Sequence, residues 1–239
     1  MLIKKLFIIK YGTITIISPT LNKIKEGIQG RIMSIKIRQA KVEDAPFLAQ
    51  MMLQSSRAGK KVGIFDLIFE TDDDKVLLEK LEKLAQTEAK SHCNYRNFLI
   101  AETDAQSVGT LCSYEPRKAT KDIFIKALQE VGCSDSIADT LEIVYECELD
   151  VSRTALMFDF MEELEGFIDV GVLKALMQKS LLTARLKGYS IAQTIIEIGS
   201  LEVELFYKKL GFSVVDEKEC ERYKETFGRN GLKLLSIEF

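Results

Sequence analysis

The sequence has little proline, glycine or histidine, and each shortage excludes a class of protein. Only 3 prolines and 14 glycines occur in 239 residues. This leaves no room for a Pro- or Gly-rich linker, so we expect a single domain. The single histidine, His92, excludes a His-rich metal centre and argues against a Cys-His hydrolase. Because His92 lies in a polar connection between a helical and a strand pattern, we expect it at the surface. No G-x-S-x-G motif is present, which argues against hydrolases that use that nucleophile.

The five cysteines are dispersed and form no C-x-x-C pair. Their odd number and their spacing fit neither a zinc site nor a disulfide framework. We therefore expect reduced thiols that act as small apolar side chains in a cytoplasmic protein, with no metal. The residues concerned are Cys93, Cys112, Cys133, Cys147 and Cys220.

Charge is modest overall but unevenly distributed. A net charge of -3 gives no electrostatic footprint for nucleic acid. The first 32 residues carry six basic side chains and one glutamate, a net of +5 that leaves -8 for the other 207 residues. The apolar run near the N-terminus is too short and too charged to span a bilayer, so we expect no membrane partner.

Two interpretations of the basic N-terminal segment stay open. Its β-branched stretch from Thr13 to Ile17 is typical of a strand or hairpin. Alternatively, Met33 is the working start codon, because a standard domain opening follows it directly. We expect residues 1–32 to be an extension, disordered or outside the domain, and residues 33–239 to form the domain.

Strand and helix patterns alternate along the rest of the chain. Helical periodicity is clearest at 72–90, 172–187 and 201–209, and residues 117–150 read as a helical insertion. Strand patterns occupy the stretches between these helices, with a hairpin whose turn is Thr103–Ser107. Interleaved strands and helices indicate an α/β or α+β class with a mixed sheet. The predicted strands are 34–40, 97–102, 108–114, 155–161, 190–198, a strand holding Val214 and Val215, and 231–239.

Several stretches, in order from Met33 to the C-terminus, resemble the GNAT superfamily of N-acetyltransferases. The opening IKIRQAKVEDA is similar to the first strand and helix start of that family, and NFLIAETD with SVGTLCSYEP to its second and third strands. The most specific stretches are ELEGFIDVGVLKALMQKSLLTARLKGY and IEIGSLEVELFYKKLGF, which ends in Y-x-x-L-G-F at Tyr207–Phe212. The resemblance implies a GNAT-like acyl-CoA N-acyltransferase fold, a central mixed and mostly antiparallel sheet flanked by helices.

The resemblance also implies an acetyl-CoA site between two parallel strands, here 155–163 and 190–198. The pyrophosphate of the cofactor would bind backbone N–H groups where the next helix begins, at Val170, Gly171, Val172 and Leu173. The family loop usually reads Q/R-x-x-G-x-G/A, and only Gly171 matches it, with Ile168 at the usual Arg position. We therefore expect weakened cofactor binding. Ser200, where the family often has Asn, can cap the helix that follows.

The resemblance implies that Tyr207 protonates the departing CoA thiolate; alternatively, Tyr207 packs in the last helix with its hydroxyl bonded to backbone. A base is also needed, and Asp159 and Glu163 are the candidates, with Glu162 on the opposite face by alternation unless a bulge intervenes. Ordinary solvated charge is the alternative for these carboxylates. A backbone N–H near Met161, Glu162 or Glu163 would polarise the acetyl carbonyl.

The implied function is an acetyl-CoA-dependent N-acetyltransferase that acts on a primary amine of an unidentified small molecule or protein. A non-catalytic acyl-CoA-binding or protein-interaction module on the same fold is the alternative. The insertion at 117–150 falls where acceptor-site elements of the family vary, so it could line or cover the acceptor pocket. Family members often pair, which leaves a homodimer open.

Overall fold

The computed structural model describes residues 7–10, 13–16, 34–134, 136–168 and 170–239. The chain divides into two compact units, Met1–Ser34 and Ile35–Phe239. In the first unit, strands β1 (Phe7–Lys10) and β2 (Thr13–Ile16) pair as an antiparallel hairpin. Most of the residues covered by the expectation for 1–32 lie outside the described ranges, so that expectation stays a prediction.

The described part of the second unit contains seven strands and eight α-helices. The strands are β3 (Lys36–Gln39), β4 (Phe98–Thr103), β5 (Gln106–Tyr114), β6 (Leu156–Glu163), β7 (Ile191–Glu197), β8 (Ser213–Glu219) and β9 (Gly231–Glu238). The helices are α1 (Ala45–Arg57), α2 (Ile64–Ile68), α3 (Asp74–Ala85), α4 (Lys121–Glu130), α5 (Ile137–Tyr145), α6 (Val172–Leu186), α7 (Leu201–Lys209) and α8 (Glu221–Phe227).

The strands of the second unit form one sheet in the order β3-β4-β5-β6-β7-β9-β8. Every neighbouring pair is antiparallel except β6 and β7, which run parallel. The predicted class, a mixed and mostly antiparallel sheet flanked by helices, is therefore confirmed. The β4–β5 turn consists of Asp104 and Ala105, both with positive φ (48° and 64°), as a two-residue hairpin requires.

Helices cover both faces of this sheet. On one face, α1, α3 and α4 pack on Phe98 and Ile100 of β4. On the other face, α6 packs through Leu176 and Met177 mainly on β5 and β6. The apolar stripe that predicted α3 faces the core, since Leu77, Leu81 and Leu84 are fully buried. At the start of this helix, the Asp73 carboxylate accepts a hydrogen bond from the Lys75 N–H.

Two short helices lie outside the helical stretches that periodicity predicts. One is α2, in the glycine-containing segment 57–69. The segment after β8 forms α8, whose Tyr223 and Phe227 pack against Cys147 and Leu149 at the end of the insertion. Both helices are too short for a clear period. No helix within the described ranges is long and apolar enough to cross a membrane.

Candidate active site

The two parallel strands β6 and β7 part in the middle of the sheet. They pair only from Leu156–Phe158 to Ala192–Thr194, in the register Leu156↔Ala192, Met157↔Gln193 and Phe158↔Thr194. Strand β6 then continues beside β5, and β7 continues beside β9 to Glu197. The gap between them belongs to a cleft of about 1410 Å³ at the predicted site.

A β-bulge in β6 lies directly beyond the point of parting. Cys112 pairs with Asp159 and Thr110 with Glu162, so β6 uses one more residue than β5 over this stretch. Phe160 has a positive φ of 44°, which is rare for a bulky residue and often marks a functional site. The backbone N–H of Phe160 donates to Oδ1 of Asp159 at 2.7 Å.

The bulge changes which β6 side chains face the cleft. Strict alternation would put Asp159 and Glu163 on one face and Glu162 on the other. The extra residue breaks this alternation, and residues 158–162 all line the cleft, among them Asp159, Met161 and Glu162. Glu163 is not among the lining residues, so the structure separates it from the other predicted site residues of β6.

Tyr207 lies at the fork between β6 and β7. Its hydroxyl is 3.5 Å from Oγ1 of Thr194, the last residue of β7 that pairs with β6. Thr194 Oγ1 is also 3.1 Å from the carbonyl oxygen of Phe158 and donates to it. The Tyr207 ring packs edge-on against Phe206 and Phe212, and the residue is 3% exposed while lining the cleft.

The surroundings of Tyr207 keep its hydroxyl protonated. Burial raises its pKa well above the ordinary value of 10, and the negative charges of Asp159 and Glu162 raise it further. The hydrogen bond with Thr194 opposes this shift only in part. A phenol in this state is a proton donor at neutral pH and a very poor proton acceptor.

The two cleft carboxyl groups differ in their environments. Burial raises the pKa of Asp159 to about 6, although the hydrogen bond from the Phe160 N–H lowers it in part. Burial also raises the pKa of Glu162, whose Oε2 accepts a hydrogen bond from Nε2 of Gln54 at 2.8 Å. Asp159 therefore changes protonation in the range where a general base is effective.

Helix α6 begins beside the gap with an uncapped first turn. Gly171 occupies the N-cap position with φ 92°, and no side chain caps the helix there. Val172 is fully buried, and Leu173 lines the cleft. The Val170 N–H is already used, since it donates to the Phe167 carbonyl at 3.0 Å.

Ile168 stands at the position of the usual family arginine and is 57% exposed. It therefore offers no charge to an anion at the start of α6. Binding of phosphate groups there would depend on backbone donors and the helix dipole.

Ser200 lies at the N-cap position of α7, as predicted, but the expected cap is wrong. Its hydroxyl makes no capping hydrogen bond. The backbone at Ser200 has ψ 64° instead of the extended value usual for a capping residue. The residue lines the cleft instead.

The surface prediction for His92 is also wrong. Its ring lies 4.6 Å from Phe124 and 5.4 Å from Tyr114 between centroids, and it stacks on Phe160 at 5.9 Å. The His92 carbonyl accepts hydrogen bonds from Nδ2 of Asn97 and from the Cys112 thiol. These bonds hold the segment around His92 against β5. Burial lowers the pKa of His92 to about 4, so the ring is neutral at pH 7.

The predicted insertion contributes one wall of the cleft. Phe124 of α4 and Tyr145 of α5 line it, as do Leu141 and Leu149. This agrees with the expectation that the insertion could line the acceptor pocket, although the acceptor role itself stays a prediction.

An ionic network that the sequence did not predict lies at the mouth of the gap. The Glu197 carboxylate at the end of β7 pairs with the ammonium of Lys60 and accepts a hydrogen bond from the Tyr223 hydroxyl at 2.9 Å. Arg229 approaches the same carboxylate at 3.4 Å. Lys60 and Glu197 are 137 residues apart in the chain, so no local pattern could reveal their contact.

The five cysteines are free thiols, and Cys93, Cys112 and Cys147 are buried, as expected for small apolar side chains. Within the described ranges, no group of three or more His, Cys, Asp and Glu side chains has the arrangement of a metal site.

Solved structures of acetyltransferases share this architecture. An N-acetyltransferase from Staphylococcus aureus Mu50 is 18% identical, with a TM-score of 0.65 over 84% of this chain and 100% of its own. Another acetyltransferase is 15% identical, with a TM-score of 0.61 over 85% of this chain and 98% of its own. No protein-family model matches the chain, and no curated protein sequence does either. At such low identities the likeness concerns the fold: this chain has the GNAT acetyltransferase fold.

Proposed function

We propose that the protein is an acetyl-CoA-dependent N-acetyltransferase that transfers the acetyl group to a primary amine. The observation that carries this proposal is the position of the Tyr207 hydroxyl. It lies at the fork of the only parallel strand pair in the described sheet, 3.5 Å from Thr194, and it faces the cleft. A protonated phenol at this point can donate to a sulfur that leaves between the two strands.

Acetyl-CoA, the cosubstrate, fits the described residues in two respects. The parted edges of β6 and β7 offer backbone groups to the amides of the pantetheine arm. The uncapped first turn of α6, at Val172 and Leu173, offers N–H groups and the positive end of the helix dipole to the pyrophosphate.

Ile168 fits acetyl-CoA poorly, because the family usually has an arginine at this position. Loss of the charge-assisted contact lowers the binding free energy by about 1.5–3 kcal/mol, roughly a tenfold to hundredfold loss in affinity. We expect binding in a weaker range than for a protein with the full loop pattern.

The proposed reaction forms an N–C bond and breaks the thioester C–S bond. Asp159, with its pKa near 6, takes the proton that the attacking amine loses, directly or through a water molecule. Tyr207 donates its proton to the leaving sulfur and regains one from solvent through the cleft. The backbone around the Phe160 bulge, at Met161 and Glu162, is the candidate donor to the carbonyl oxygen.

Binding of acetyl-CoA is the first test, and the full chain is used. Millimolar acetyl-CoA is expected to raise the melting temperature. Leu173→Glu, which puts a carboxylate in the first turn of α6 beside the cleft, is expected to abolish that increase by repelling phosphate. The matched control is Leu182→Glu, the same change at a residue of the same helix that is 54% exposed. It should keep the wild-type response.

Turnover then distinguishes the enzyme from the alternative. Release of free CoA thiol in the presence of a panel of primary amines is expected for the enzyme. Binding that Leu173→Glu abolishes, with no thiol release for any amine, would favour a non-catalytic acyl-CoA-binding module. No binding at all would leave a protein-interaction module as the better interpretation.

A further inference from the structure

Several aromatic rings that line the cleft contact one another. The His92 ring lies between Phe160 and Phe124, with centroid distances of 5.9 Å to Phe160 and 4.6 Å to Phe124. Tyr114 approaches His92 at 5.4 Å, and Phe65 stacks on Phe160 at 6.2 Å. All five rings line the cleft. We refer to Phe65, His92, Tyr114, Phe124 and Phe160 as the aromatic cluster.

This cluster comes from distant parts of the chain. Phe124 belongs to the insertion, His92 to the connection before β4, and Phe160 to the bulge of β6. The positive φ of Phe160 is part of the same bulge that brings Asp159 and Glu162 to the cleft. One backbone irregularity therefore sets both an aromatic surface and a carboxylate beside it.

Asp159 directly precedes Phe160 of the aromatic cluster and lines the same cleft as the proposed acid, Tyr207. Its charge raises the pKa of Tyr114 in the cluster and also that of Tyr207 at the fork. The Asp159 carboxylate accepts a hydrogen bond from the Phe160 N–H, and the thiols of Cys93 and Cys112 lie near it. A carboxylate in apolar surroundings has lost most of its hydration, so a bound cation stabilises its charge strongly.

We infer that the acceptor is an arylalkylamine, a primary amine on a short chain attached to an aromatic ring. Its ammonium group pairs with Asp159, and its ring packs on His92 and Phe124. One ammonium proton passes through Asp159 to solvent and leaves the free amine, and Asp159 then takes the second proton as the amine attacks the thioester. This inference rests on the proposed N-acetyltransferase function and specifies its substrate class.

The cluster also discriminates against other amines. An amino sugar or an amino alcohol would bring hydroxyl groups against rings that offer them few hydrogen bonds, and each unpaired buried group is costly. A small alkylamine would leave the ring surface uncovered. An aromatic ring gains edge or stacked contacts, and its ammonium gains cation–π attraction from the neighbouring rings.

The test uses 2-phenylethylamine against ethylamine and ethanolamine, with the full chain. Binding is measured first by calorimetry without acetyl-CoA, so it does not depend on cofactor binding. We expect 2-phenylethylamine to bind at least tenfold more tightly than either small amine. In the acetyl-transfer assay, kcat/KM should favour it by at least the same factor.

Variants locate the binding. Phe124→Leu is expected to weaken binding of 2-phenylethylamine at least fivefold. Phe69→Leu is the control, since Phe69 packs on Phe65 without lining the cleft, and it should have no effect. Asp159→Asn should abolish the preference for 2-phenylethylamine over its neutral analogue 2-phenylethanol. This last comparison stays valid if Phe124→Leu does not fold.

Two results would overturn the inference. One is acetyl transfer to ethylamine or ethanolamine with kcat/KM equal to that for 2-phenylethylamine, which leaves the proposed function standing. The other is failure of 2-phenylethylamine to bind both the free chain and the chain saturated with CoA. Conversely, amine binding that Phe124→Leu weakens, without any acetyl transfer, supports the aromatic amine site and contradicts the proposed function.

Discussion

The side-chain oxygens of Thr194 and Tyr207 lie 3.5 Å apart at the last paired position of β6 and β7. The Thr194 hydroxyl donates to the Phe158 carbonyl at 3.1 Å and lies within donor distance of the Tyr207 oxygen. It has one proton, so it serves one of these two acceptors at a time. The threonine therefore links the proposed proton donor to the backbone at the fork.

Tyr207→Phe is expected to lower kcat at least tenfold while leaving acetyl-CoA affinity within twofold. The change removes the hydroxyl and keeps the ring that packs on Phe206 and Phe212. Steady-state thiol release and calorimetry measure the two quantities. Thr194→Val should lower kcat less, and the double variant should equal Tyr207→Phe alone, since both act on one proton. Additive losses would contradict the link between the two residues.

Asp159→Asn is expected to stabilise the protein at neutral pH. The folded pKa of about 6 lies above the ordinary 3.8, so the folded state holds this proton more tightly than the unfolded state. The free energy of unfolding contributed by Asp159 therefore falls as pH rises from about 4 to about 6 and stays low above that. One pKa unit is worth about 1.4 kcal/mol, and partial exposure of the residue reduces the total to about 1–2 kcal/mol.

Urea unfolding at pH 4 and pH 7.5 measures this difference. Asp159→Asn and wild type should converge near pH 4 and differ at pH 7.5. The control is Asp72→Asn, the same change at an exposed carboxylate before α3, which should be neutral at both values. An equal gain for Asp159→Asn at both pH values would show that the carboxylate is not the cause.

Glu197→Gln is expected to destabilise the protein by about 2–4 kcal/mol. Glu197 and Lys60 have side chains only 12% and 16% exposed, and removal of one charge leaves the other without its partner in a poorly hydrated place. Glu148→Gln is the matched control, because Glu148 and Lys121 are 45% and 46% exposed. It should cost less than about 0.5 kcal/mol. Denaturant unfolding compares the two, and similar losses would contradict the importance of burial.

Gly109→Ala is expected to cost about 1–3 kcal/mol and to weaken acetyl-CoA binding. A Cβ at this position of β5 would lie 2.6 Å from Cγ1 of Val172 and 2.9 Å from the Glu162 carbonyl oxygen. Helix α6 would have to move at its first turn, where the pyrophosphate is proposed to bind. Gly166→Ala, where a Cβ meets nothing within 4 Å, should leave both quantities unchanged. Thermal unfolding with and without acetyl-CoA separates these cases.

Removal of residues 1–32 is expected to leave the melting temperature within about 2 °C of that of the full chain. The prediction follows from the basic composition of that segment and from the domain opening after Met33. Differential scanning calorimetry of both proteins checks it. A fall of many degrees would mean that the stretch from Ile8 to Ile17 packs into the domain.

Local patterns predicted most of the fold. Periodicity located α3, α6 and α7, because this signal depends on neighbours a few residues away. Tyr207 was singled out by the family resemblance of the Y-x-x-L-G-F stretch. The bulge at Phe160 could not be predicted, since a positive φ at a bulky residue is imposed by its pairing partners on β5.

For a related reason, the sequence did not predict the inward position of the His92 ring. Its polar sequence neighbours suggest solvent, while its contacts are Phe124, Tyr114 and Phe160 from other elements. A signal was present in the form of Asn94 and Asn97, whose side chains bond the backbone of this segment and hold it in a tight turn. Such turns bury a connection that composition alone assigns to the surface.

The brief contact between β6 and β7 has a mechanical consequence. In the described sheet, three residue pairs join the strands β3 to β6 to the strands β7, β9 and β8. A ligand that forms hydrogen bonds with the open edges of both β6 and β7 adds to these contacts. Its binding would couple the two parts of the sheet, so amide hydrogen exchange would slow in both parts together.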